Sequence, residues 1–103
     1  MITVYGESLV DLVPSAHGPL APLTPALGGG PFNVARALGR LRSPVAFQSR
    51  LSADAFGTAL RQSLLDAGVD LSRCPTGDEP TTLAVASLLD DGSATYTFYV
   101  NGT

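Results

Sequence analysis

Two short stretches hold the residues best placed to do polar chemistry. The first is Gly28-Gly29-Gly30-Pro31-Phe32-Asn33, which sets three glycines and a proline against the start of a run with helical periodicity. A helix start offers about four N–H groups without intrahelical partners and a partial positive charge, and glycines just ahead of it let a ligand approach the backbone closely. Neither phosphate-cradling pattern fits. No Gly-Lys-Ser/Thr ending follows, and Gly28-x-Gly30-x-x-Asn33 has asparagine where the dinucleotide fingerprint has its third glycine. The Asn33 amide can donate and accept, which suits hydroxyl groups better than phosphate. A tight turn needing glycine only for positive φ is the alternative on local grounds.

The second stretch is Leu9-Val10-Asp11-Leu12-Val13. An unpaired carboxylate in an apolar run is costly, so Asp11 must be exposed at a strand end or paired. A carboxylate accepting two hydroxyl hydrogens is one way to hold a polyol; a solvent-facing turn residue ahead of Pro14 is the other reading. Further candidates carry less. His17 lies in a Pro/Gly-rich loop without a second His or a nearby Cys at ligand spacing, so it reads as solvent-exposed and no metal site is expected. Cys74 reads as a passive loop thiol. Arg36, Arg40 and Arg42 read as solvated charges around one helix. Tyr96, Phe98 and Tyr99 suit either strand packing or the lining of a face over a ligand.

Composition narrows the setting for these residues. The chain has 103 residues, 45% of them hydrophobic, with 9 acidic against 6 basic side chains and a net charge of −3. That suffices for one modest core. The charges form no run of one sign, which argues against a nucleic-acid partner or an anionic membrane surface. One cysteine allows no internal disulfide. The first residues lack a basic region followed by an apolar one, and no apolar run reaches the roughly 18 residues of a membrane helix. The expectation is a cytoplasmic protein.

The elements that must position these residues alternate between strand and helix. "ITVYG" reads as a buried strand closed by glycine. Between Ser8 and Leu27, Pro14, Pro19, Pro22 and Pro25 confine the extended pieces "LVDLVP" and "LAPLTPAL" to edge or peripheral strands. From Pro31 to Arg42, Val34, Ala35, Leu38 and Leu41 recur at helical spacing, with proline suited to the first turn. "PVAFQSRL" reads as a second strand, parallel to the first in a βαβ unit. In "SADAFGTALRQSLLDAG", Ser52 or Asp54 can cap a second helix whose Phe56, Ala59, Leu60, Leu64 and Ala67 share a face and which Gly68 ends. After a Pro/Gly/Asp-rich loop, "TTLAVASLL" and "SATYTFYV" flank "DDG" as a hairpin. An open parallel sheet needs helices on both faces, and about two parallel strands and two helices do not supply them. The chain therefore reads as part of a larger domain, completed by a C-terminal continuation, another chain or disordered residues.

Taken together, "YGESLVDLVP", "GGGPFNVARALGRL", "SRLSADAFGTALRQSLLDAGVD" and "PTTLAVASLLDDGSATYTFYVNGT" resemble the N-terminal third of a ribokinase-like, phosphofructokinase-B type carbohydrate kinase. The resemblance spans essentially residues 1–103, in order and at family spacing. It implies an incomplete ribokinase-like α/β fold: a parallel βαβ core portion, about residues 1–6 and 31–74, plus a small antiparallel β-lid, about residues 8–27 and 81–100. It implies an enzyme that moves the γ-phosphoryl of ATP, with Mg²⁺, to a sugar hydroxyl. Asp11, Gly29, Gly30 and Asn33 match positions that bind the sugar, and the lid often mediates dimers, so a homodimer is an expected partner. Gly30 stands where ribokinases proper usually carry lysine, which favours a fructokinase-like substrate.

The resemblance also implies what to look for elsewhere. The family's catalytic base lies in a Gly-Ala-Gly-Asp-like motif far down the chain, and the ATP-binding residues would lie beyond Thr103. Gly77-Asp78 of "PTGDEP" is rejected as the base because no helix follows it. No catalytic, ATP-binding or metal-binding residue is expected here, and the 103-residue chain alone is expected to be inactive. The competing reading is a non-catalytic sugar-binding or lid-mediated dimerisation module.

Overall fold

In the structure, a computed structural model, residues 1–89 and 91–100 are described. Strand β1 (Ile2–Tyr5) leads through β2 (Leu9–Pro14) and β3 (Leu23–Gly28) into helix α1 (Gly30–Arg40). Then follow β4 (Val45–Gln48), β5 (Leu51–Ser52), α2 (Ala55–Asp66), β6 (Thr76–Gly77), β7 (Leu83–Leu88) and β8 (Ala94–Tyr99). Asp90 of the expected turn, and Asn101 to Thr103 of the expected ending, lie outside the described residues.

The expected parallel pair is present: β1 runs alongside β4 with Ile2 opposite Val45 and Tyr5 opposite Gln48. The strand read from "PVAFQSRL" is interrupted, however. It leaves β4 after Gln48, and Leu51–Ser52 instead pairs in parallel with Thr76–Gly77. The remaining strands form a separate four-stranded sheet in the order β3-β2-β7-β8. That sheet is mixed rather than wholly antiparallel, because β2 and β7 run parallel, with Asp11 opposite Ala84. The hairpin of β7 and β8 is antiparallel, with Leu83 opposite Tyr99 and Leu88 opposite Ala94.

The prolines sort by where a missing N–H is tolerated. Pro25 lies in β3, which is an edge strand, and Pro19 and Pro22 lie outside the strands. The expectation fails for "LVDLVP", since β2 sits between β3 and β7. Its proline is the last residue of the strand, beyond the Val10–Leu12 segment that pairs with β7, so an interior position costs no ladder bond there.

The core lies between the two helices and β4. Phe32 and Phe47, both fully buried, meet edge to face with ring centroids 6.5 Å apart. Burying one such ring is worth roughly 1.5–3 kcal/mol, so this contact anchors α1 on the parallel pair. The buried face of α1 is Phe32, Ala35 and Gly39, which shares Ala35 with the predicted face and keeps Leu38 packed against the core, but leaves Val34 51% exposed and Leu41 76%. The rotation follows from Gly39, where an added Cβ would overlap the Ala67 carbonyl, so α1 approaches α2 closely only along that line. In α2, Leu60, Leu64 and Gly57 are buried, whereas Ala59 faces solvent. Gly68, at φ +83°, takes the left-handed position after the helix, as its sequence position implies. Cys74, in the loop after α2, is buried, and burial pushes its thiol up.

Candidate functional site

Gly29 is the N-cap of α1, at φ 103° and ψ 131°, and no side chain caps the helix. A Cβ there would lie 2.9 Å from the Glu7 carbonyl oxygen and 3.1 Å from the Ser8 Cα, so the turn runs directly against the β1–β2 connection. Glycine is required at this position on two grounds, left-handed backbone and contact. Pro31 has no N–H, and Gly30 and Phe32 have no carbonyl four residues back inside the helix. Their N–H groups are the donors that the helix start presents.

Asp11 is half-buried in the middle of β2, in register with Ala26 on one side and Ala84 on the other. Two alanines beside it leave its carboxylate standing above small neighbours. The carboxylate lies over the glycine turn: a Cβ on Gly28 would be 2.6 Å from Asp11 Oδ2. Gly28 therefore stays bare to make room for Asp11, and Gly29 for the Glu7–Ser8 backbone. Gly30 differs from both, because a Cβ there would meet nothing within 4 Å. The fold does not demand glycine at position 30.

Asn33 begins the second turn of α1, its N–H donating to the Gly29 carbonyl at 2.9 Å. Its side chain is exposed, and its Oδ1 accepts a hydrogen bond from Arg36 Nη2 at 3.1 Å. Arg36 is not the solvated charge that the sequence suggests. It is half-buried, its guanidinium lies 5.1 Å from the centre of the Phe32 ring, and its Nη1 donates to Ser63 Oγ on α2 at 3.4 Å. The i, i+3 spacing of Asn33 and Arg36 is the signal that would have paired them.

The structure thus gathers Asp11, Gly28, Gly29 and Gly30 at the junction of β2, β3 and α1, with Asn33 following on the same helix. Next to this junction, Gly6–Ser8, Ser49–Ser52 and Glu79–Thr82 line a cleft of about 400 Å³. None of the four sequence-predicted site residues lines it. Its walls carry an ion pair, Arg50 Nη1 to Glu79 Oε1 at 3.0 Å, and the other Glu79 oxygen is buried without a hydrogen-bond partner. Neither residue stands out in the sequence.

His17 is exposed in the loop between β2 and β3. Among the described residues no group of three or more His, Cys, Asp or Glu side chains is placed to hold a metal ion. The six basic residues are all arginines, so the glycine turn has no lysine for a phosphate group. No helix is long and apolar enough to cross a membrane among the described residues.

The architecture has close counterparts among solved structures. A fructokinase from Xylella fastidiosa superposes with a TM-score of 0.82 at 33% identity, over 95% of this chain and 31% of that one. Arabidopsis thaliana ribokinase, complexed with ribose and ATP, gives 0.81 at 28% identity over 95% of this chain and 35% of that one. The fold is that of a ribokinase-like sugar kinase. The chain belongs to the pfkB family of carbohydrate kinases, whose profile it matches over residues 1–103. It is 40% identical over 105 aligned positions to a fructokinase of Rhizobium leguminosarum bv. trifolii, spanning 32% of that protein. The chain thus covers about a third of the length of the relatives it matches.

Proposed function

We propose that this chain supplies the sugar-binding floor and the lid of an ATP-dependent sugar kinase whose acceptor is fructose or a closely similar sugar. The observation that carries the reading is the Asp11 carboxylate set over Gly28 at the open start of α1. Asp11 accepts hydrogens from sugar hydroxyls, the free N–H groups of the helix start donate to hydroxyl oxygens, and Asn33 adds an amide. The fructokinase preference is supported by the named relative and by Gly30, whose missing side chain leaves space that the fold does not use.

The sheet of β2, β3, β7 and β8 is the lid in this reading, with residues 1–6 and 31–74 as core. Its closure excludes water, which otherwise competes with the sugar hydroxyl for the phosphoryl group. The base, ATP and Mg²⁺ are assigned to the two thirds of the relatives' length that this chain does not span, so the chain by itself is expected to be inactive. A cytoplasmic location and a homodimer through the lid complete the proposal. The dimer is supported by Tyr96, Phe98 and Tyr99, each about 60% exposed on β8.

The test is ATP consumption by the full-length protein against hexoses, pentoses and keto-deoxy acids. Turnover that is strongest with D-fructose is expected. No turnover with any of them overturns the assignment.

A further inference from the structure

We propose that Arg36 is a positioning residue that sets the hydrogen-bond polarity of the sugar site through Asn33. The inference rests on the kinase reading above, in which Asn33 meets the sugar.

A guanidinium has donors only, so the end of the Asn33 amide facing Arg36 Nη2 at 3.1 Å is its oxygen. The opposite end, Nδ2, keeps two N–H donors, and the side chain makes no other hydrogen bond among the described residues. Without Arg36 the amide is free to turn over and offer either end. With it, Asn33 presents donors. Arg36 is itself held from two further directions: the Phe32 ring lies beneath the guanidinium at 5.1 Å, and Ser63 Oγ on α2 accepts from Nη1 at 3.4 Å. Phe32 is fully buried against Phe47, so the support reaches into the core. No carboxylate among the described residues pairs with Arg36, which leaves its donors for Asn33 and Ser63.

The site then has fixed polarity. The Asp11 carboxylate only accepts, so the sugar must bring a hydroxyl hydrogen to it. The end of Asn33 that faces away from Arg36 is its NH2, which donates, so the sugar must bring an oxygen lone pair there. A ligand with these two features reversed meets acceptor against acceptor and donor against donor.

The experiment uses the full-length protein, D-fructose and ATP, with the variants Arg36→Met, Arg36→Lys and Asn33→Asp. Arg36→Met keeps an apolar stem over Phe32 and removes every donor. The loss of amide orientation is expected to raise the KM for fructose roughly three- to tenfold, the scale of one net hydrogen bond, with kcat and the KM for ATP unchanged. Arg36→Lys retains a donor and is expected to recover most of that loss. Asn33→Asp keeps an acceptor for Arg36, so its melting temperature holds, yet it removes the donors and raises the fructose KM at least as much. This third variant decides the matter if Arg36→Met does not fold. A purely structural role for Arg36 would lower the melting temperature and leave the fructose KM alone, and that result, or an unchanged KM in Asn33→Asp, overturns the proposal. A wild type inactive with every sugar overturns the kinase reading and this inference with it, whereas an active wild type with indifferent variants overturns this inference alone.

Discussion

Asp54 accepts two hydrogen bonds from Thr81: one from the hydroxyl to Oδ1 at 2.6 Å, one from the backbone N–H to Oδ2 at 2.8 Å. The same carboxylate caps α2, accepting from the Gly57 N–H at 2.7 Å. One side chain thereby ties the start of α2 to the segment that leads into β7, so the parallel pair with its helices and the four-stranded sheet are linked at this point. Gly57 must stay bare for the link to form, because a Cβ there would overlap the Ser52 carbonyl. Replacing Asp54 by alanine removes the cap and orphans the Thr81 donors. It is expected to cost roughly 2–3 kcal/mol of stability in the full-length protein, measured by denaturant titration.

The same carboxylate predicts an acid dependence. Burial alone would raise its pKa, but the hydrogen bonds from Thr81 and Gly57 outweigh that and hold it below the ordinary 3.8. A carboxyl whose folded value is depressed stabilises the fold above its unfolded value, and that contribution is lost as pH falls through the lower folded value. The melting-temperature gap between wild type and Asp54→Asn is therefore expected to be widest near neutrality and to shrink below about pH 4. A gap that stays constant between pH 7 and pH 2 counts against the assignment.

Adjacent glycines should answer differently to alanine. Gly29→Ala is expected to destabilise by roughly 1–3 kcal/mol, since alanine at φ 103° is strained and its Cβ meets the Glu7 carbonyl. Gly30→Ala meets nothing within 4 Å and is expected to melt with the wild type, while raising the KM for the sugar. Thermal melts with sugar kinetics on both variants make the comparison.

Asp11→Ala is expected to raise the sugar KM strongly or abolish turnover without lowering the melting temperature, because the half-buried Asp11 makes no hydrogen bond or ion pair among the described residues. An unchanged KM would make Asp11 an ordinary strand residue.

The outer strand offers a test of assembly. Tyr96 and Phe98 share a face of β8, in register with Ala86 and Ala84, and both are more than half exposed. Sedimentation of the full-length Tyr96→Ser, Phe98→Ser variant is expected to show monomer where the wild type shows dimer. A dimer that survives both changes places the interface elsewhere.

Local signals in the sequence determined much of this. The Gly-Pro entry to α1, the Asp54 cap and Gly68 stop of α2, the β1–β4 parallel pair and the β7–β8 hairpin follow from backbone preferences over a few residues, as does the family resemblance from its motifs. Tertiary structure alone decided which residues those elements bring together. β2 became an interior strand because its proline falls at the end, past its pairing with β7. The buried face of α1 kept Ala35 and Leu38 but turned from Val34 and Leu41 toward Phe32 and Gly39, because Gly39 lets α1 approach Ala67 closely. Arg36 is half-buried because Phe32, Ser63 and Asn33 converge on it from two helices. Periodicity records which residues share a face of one element, whereas contacts between elements depend on shape and on donors and acceptors far apart in the chain. That is why Asp11, Gly29, Gly30 and Asn33 were legible as candidates, and the close approach of Asp11 to Gly28 and the Arg36–Asn33 hydrogen bond were not.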